Sequence, residues 1–124
     1  MRVRLREKHS DAELQRIYAV PHDSSHWVDH HLRVDTTIQT AKWMKPTSVA
    51  DLSCGDARIA RVVAPENTGA FLGDYAPGYQ FTGPIEETIH QIPHVDLFIL
   101  SETIEHVDDP DLVLRLIRTK ANKL

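Results

Sequence analysis

Val49-Ala-Asp-Leu-Ser-Cys-Gly-Asp-Ala57 is the stretch on which the reading of this chain turns. Ser48 to Ser53 is short and largely apolar, as a buried strand is, and Cys54-Gly55-Asp56 then supplies the residues of a tight turn. Beyond the turn, Ile59, Ala60, Val62 and Val63 fall at helical intervals until Pro65, with Asp56 placed to cap the helix. Strand, glycine turn, helix is the opening unit of an α/β fold, and it sets the expectation for both flanks.

Upstream, residues 1–46 read as helical. Ser10 and Glu13 have capping-box spacing ahead of Leu14, Ile17 and Tyr18, and Pro21 stops that helix. Trp27, His31, Val34, Ile38 and Ala41 then mark a longer amphipathic helix ended by Pro46. Downstream, Ala70–Gly73 and Tyr79–Thr82 are short strand candidates closed by Gly73 and Gly83. Val95–Ser101 carries four consecutive apolar residues, as a central parallel strand covered on both faces does. Asp109 and Pro110 open a last helix with Leu112, Val113, Leu116 and Ile117 inward and Arg115, Arg118 and Lys120 toward its C-terminal end. The expectation is an α/β domain with a parallel sheet over 47–124 and an N-terminal helical lid segment over 1–46. Too few residues separate the second and third strands for the usual crossover helix.

Composition narrows the function. A 124-residue chain with 41% hydrophobic and 26% charged residues has room for one ordinary globular domain. Fourteen Lys and Arg against 18 Asp and Glu give a formal charge of −4, which does not support nucleic-acid binding. One cysteine rules out an internal disulfide framework, and no apolar run approaches the roughly 18 residues of a membrane span. The basic N-terminus lacks an apolar signal core, so a cytoplasmic location is expected.

In an open parallel sheet, ligands bind at the carboxyl ends of the strands where strand order reverses. That directs attention to Gly55, where backbone can approach a ligand and the helix start offers amide donors, although a tight turn alone would also explain the glycine. Asp74, about 20 positions later, has the spacing of an acid that binds a ribose diol. Glu102, Glu105 and His106 follow the fourth strand. With one helical turn from Thr103 they would share a face able to hold a divalent metal or take a proton, although a capping acidic turn with a buried His has the same sequence. His22, His26 and His30 recur every four residues, but Ser24 and Ser25 interrupt them, so a lid presenting Trp27, His30 and Arg33 is preferred over a metal site. Packing of Trp27 and His31 on the sheet is the alternative. Cys54 has no activating partner in view and is not read as a nucleophile.

These segments together resemble the class I S-adenosylmethionine-dependent methyltransferases. Their first motif, V-x-D-x-G-C-G-x-G, is similar to Val49–Ala57; Asp74 matches the ribose acid; Gly83-Pro-Ile-Glu86 matches the segment flanking the adenine. Ser101-Glu-Thr-Ile-Glu-His-Val-Asp-Asp-Pro110 is similar to the S-x-x-x-E-H-V-x-x-P signature of the ubiquinone-methyltransferase-like branch, so the likeness covers about residues 47–120. It implies a Rossmann-like sheet of four strands in order 3-2-1-4, helices on both faces, and the last family strands missing. It implies S-adenosylmethionine bound by Asp51, Ser53, Cys54, Gly55, Asp56, Asp74, Tyr75, Ile85 and Ser101, and O-methylation of a small-molecule hydroxyl with His106 as base beside Glu102 and Glu105. A divalent metal is an option that lacks a fourth ligand.

Ser53 and Ala57 stand where the family has its outer glycines, and Pro84 where an Asp often meets the adenine amino group, leaving Ile85 and backbone to hold the base. A fourth strand without an outer neighbour would leave Leu97–Leu100 with an open edge, so a homo-oligomer is expected if the chain ends naturally at Leu124. Two other readings stay open: a degenerate cofactor-binding or oligomeric module, and a nicotinamide-dinucleotide oxidoreductase, which would want G-x-G-x-x-G around Gly55.

Overall fold

The computed structural model describes residues 8–19 and 27–124. The element order is α1 (Asp11–Tyr18), α2 (Val28–Trp43), β1 (Val49–Asp51), α3 (Arg58–Val63), β2 (Ala70–Asp74), β3 (Phe81–Thr82), α4 (Ile85–Thr88) with a 3-10 turn at Ile89–Gln91, β4 (Val95–Phe98), α5 (Pro110–Lys120) and β5 (Ala121–Lys123). The fold is α/β. Its five strands run parallel in the order β3-β2-β1-β4-β5.

Helices cover both faces of the sheet, as expected. Leu97 and Ile99 join Val49, Ala41, Ala60 and Val63 in one core layer under α2 and α3. Phe98, Ala50 and Leu52 join Ile85, Ile89, Val113 and Ile117 in the other, under α4 and α5. Four apolar residues in succession after Asp96 are what a strand buried on both sides requires. Two of the three capping signals operate as read: Ser10 and Glu13 close a reciprocal box on α1, and Asp109 accepts from the Leu112 amide with Pro110 in the first turn of α5, whereas the N-cap of α3 is Ala57 and not Asp56.

Three expectations are corrected. The outer edge of β4 is not open, because α5 passes directly into β5, whose register sets Ala121 against Val95 and Lys123 against Leu97. Asp96 secures that join by accepting from Asn122, Lys123 and the Thr47 amide. The argument for self-association through Leu97–Leu100 loses its basis. The third strand begins at Phe81 rather than Tyr79. The second runs through Gly73 to Asp74 instead of stopping at the glycine. A Cβ at Gly73 would lie 3.1 Å from both Leu52 Cδ2 and the Phe81 carbonyl oxygen, so this glycine serves close strand approach. No helix joins β2 to β3, in line with the short link. No helix among the described residues is long and apolar enough to cross a membrane.

Candidate functional site

β1 leads to β2 and β3 on one side of the sheet, and the chain then returns to lay β4 and β5 on the other. The reversal parts the loops that follow β1 and β4. A cleft of about 1240 Å³ opens there, lined from Asp51–Asp56, Asp74–Ala76, Gly83–Glu87 and Ser101–Thr103, and roofed by side chains of α1 and α2.

The turn after β1 is built from left-handed residues. Gly55 has φ +56 with open space where a Cβ would stand, and Ala57, fully buried at φ 60, is the N-cap residue of α3. Asp56 is one position further out than a cap, and its Oδ1 accepts from the Arg58 amide at 3.0 Å. The amides around the turn already have partners. Ser53 donates to Asp51, Cys54 to the Gly73 carbonyl, Gly55 to Asp74 and Ala57 to the Cys54 carbonyl. The expectation that this helix start offers free donors to a ligand therefore fails at these positions. The turn presents carboxylates instead.

Asp51 and Asp74 are the central pair. Asp51, 4% exposed, is held by the Ser53 amide at 3.1 Å. Burial, reinforced by the nearby negative charge of Asp74 and opposed by the Ser53 bond, pushes its carboxyl from 3.8 up to about 7. Asp74 ends β2 with Oδ2 2.8 Å from the Gly55 amide and Oδ1 3.1 Å from the Ala76 amide. Two oxygens offer about four acceptor positions, so a diol can still bind beside the two amides. Cys54 is buried, and desolvation with the charges of Asp51 and Asp74 pushes its thiol up to about 12, which leaves it inert.

On the β4 side, Arg33 ties the loop to α2. Its Nη1 donates to Ser101 Oγ at 2.7 Å, its Nε pairs with Glu102 Oε1 at 2.7 Å, and its Nη2 lies 3.0 Å from His30 Nδ1. Thr103 Oγ1 donates to the Ser101 carbonyl and lies 2.7 Å from Ser53 Oγ, which reaches Asp51. A chain of polar contacts thus runs from α2 through the β4 loop to the glycine turn.

Glu102, Glu105 and His106 do not share one helical face. A turn does begin at Thr103, closed by His106 N–H to the Thr103 carbonyl, but Glu102 just before it takes a left-handed φ of 51, so the expected common face is not formed. Glu102 and His106 line the cleft and Glu105 does not. Glu105 Oε1 lies 3.7 Å from His106 Nε2, and both side chains are half exposed. His106 is therefore at the rim and not buried in the core; among the described residues no group of three or more His, Cys, Asp or Glu is placed to hold a metal ion.

At the far rim, Tyr75 stacks on Tyr18 of α1 at 6.1 Å, and Lys8 pairs with Asp108 at 3.3 Å. Burial together with Glu86, Asp11, Asp108 and Glu87 pushes the Tyr75 phenol up. Ile85 is buried and still contributes to the wall. His30, His31 and Arg33 line the cleft from α2, whereas Trp27 stands exposed outside it. His22 and His26, with the serines between them, lie outside the described residues.

Two residues were not assigned these roles by the sequence. Tyr79, read there as the start of a strand, donates to the Gly55 carbonyl at 2.6 Å and lies under Arg61, bracing the turn; nothing in its neighbourhood signals that role. Arg33 was placed in the lid, but its grip on the β4 loop was not foreseen; its position one helical turn after His30 is the available hint. Aspartates and glutamates outnumber lysines and arginines three to one in the cleft lining. Comparisons of this chain with family models, with curated proteins and with solved structures find no match.

Proposed function

We propose that this chain binds S-adenosylmethionine in the cleft and methylates the hydroxyl group of a small molecule. The observation that carries the reading is the meeting of Asp74 and the Gly55 turn, 2.8 Å apart across two parallel strands, at the point where strand order reverses.

The residues fit such a donor in charge as well as position. An acid-rich wall favours a cationic ligand, and Asp51 and Arg33 are suited to the ammonium and the carboxylate of its amino-acid end. Asp74 is placed for the ribose hydroxyls, with Tyr75 and Ile85 beside the base. A dinucleotide fits poorly. The turn amides that would meet a pyrophosphate are engaged, and Asp56 sets a negative charge at the start of α3.

When bound, the sulfonium donor supplies an electrophilic methyl group; the chain's own part is alignment and proton removal. His106 at the rim accepts the acceptor's hydroxyl proton, and Glu105 at 3.7 Å balances the resulting imidazolium. No step calls for a metal.

Asp74→Ala removes charge-assisted bonds worth roughly 1.5–3 kcal/mol, an expected loss of about tenfold to hundredfold in affinity for S-adenosylhomocysteine by calorimetry. Unchanged affinity would remove the ribose assignment. The exposed apolar side chains of α2, Val28 at 79% and Trp43 at 81%, favour a second reading as a cofactor-binding interaction module. Tight binding of the nucleoside without turnover on any hydroxyl acceptor would select it.

A further inference from the structure

We propose that Glu102 is an internal stand-in for the carboxylate of the bound donor, a latch that the donor must displace from Arg33; this rests on the reading of the cleft given above. The Arg33 guanidinium is a fork with its three nitrogens spoken for by different partners. Ser101 and His30 meet the two terminal nitrogens, and Glu102 is the one carboxylate paired with Arg33 among the contacts of the described residues. Both Arg33 and Glu102 line the cleft. A ligand carboxylate entering there competes with Glu102 for the same cation.

Several features make Glu102 the partner that gives way. Its side chain is well exposed, so the departing carboxylate returns to water, where an exposed ion pair is worth little. Its backbone stands at φ 51, a left-handed conformation that a residue with a Cβ adopts at a cost. Ser101 and His30 meanwhile keep the guanidinium oriented, so the site is already shaped when the ligand arrives.

Glu102 lies in the loop that carries His106, and Thr103 of the same loop touches Ser53 of the glycine turn, so the exchanged ion pair sits between the two halves of the site.

The test uses the full chain, two nucleoside probes and one variant. S-adenosylhomocysteine carries the amino-acid carboxylate; 5′-methylthioadenosine shares its adenosine and thioether and lacks it. Glu102→Gln keeps size and hydrogen-bonding capacity while removing the competing charge. The expected result is that Glu102→Gln binds S-adenosylhomocysteine about two- to fivefold more tightly than the unaltered chain and binds 5′-methylthioadenosine equally well. Thermal unfolding of the two proteins, measured alongside, should coincide. Equal or weaker affinity of the variant for S-adenosylhomocysteine, or the same gain for both probes, overturns the latch and leaves the donor assignment standing. If neither probe binds either protein, the donor assignment falls and takes the latch with it.

Discussion

Asp51 shows what burial does to a single residue that local pattern presents only as the end of a strand. Its carboxyl titrates near neutrality because desolvation outweighs the Ser53 bond, and Asp74 adds to the cost of ionising it. The folded protein thus holds a proton that the unfolded chain has already lost, so Asp51 stabilises the fold fully below its ordinary pKa. That contribution is lost as pH rises through about 7. A rise from 3.8 to about 7 corresponds to at most about 4 kcal/mol. Asp51→Asn should therefore be close to the parent in urea stability at pH 4 and progressively more stable than it up to pH 8. Parallel stability curves across that range would show that Asp51 is ionised throughout. The motif resemblance of Val49–Ala57 is what marks this residue as a site candidate, but its proton depends on burial and on neighbours brought in from β2, which only the fold supplies.

Among the elements, those with strong local chemistry were legible. Ser10 with Glu13 and Asp109 with Pro110 fix helix starts through bonds made within a few residues, and they stand where the pattern puts them. The unbroken run Leu97–Leu100 likewise announces a strand with both faces covered. What escaped was settled by distant contacts. β5 is three residues long and polar at Asn122 and Lys123, so its strand character comes from pairing with β4 and from Asp96. The loop before Thr103 turns left-handed at Glu102 and is held by Arg33 from 68 residues away, so the single turn expected at Thr103 does not align the trio. Gly73 is the sharpest case at this scale. In the pattern it closes a strand, whereas in the fold it lets β3 and Leu52 press against β2. Gly73→Ala should cost about 1–3 kcal/mol in urea unfolding, because backbone on one side cannot yield. A loss below about half a kcal/mol would mean that β3 is free to move away.

At the scale of the whole molecule, strand order is what turns scattered residues into a site. Asp51, Asp74 and Ser101 end three different strands or begin the loops after them, and the reversal between β1 and β4 gathers them around one cleft. The order 3-2-1-4 was anticipated, with β5 added beyond it. The acid-rich lining then separates candidate ligands by charge, since it favours a cation over a polyanion. The most direct test is calorimetric titration of the unaltered chain with S-adenosylmethionine and, separately, with ADP as a polyanionic adenosine. The account predicts one-to-one binding of S-adenosylmethionine at micromolar concentration, with ADP at least tenfold weaker. ADP binding as tightly as S-adenosylmethionine, or no binding of S-adenosylmethionine at all, would contradict it.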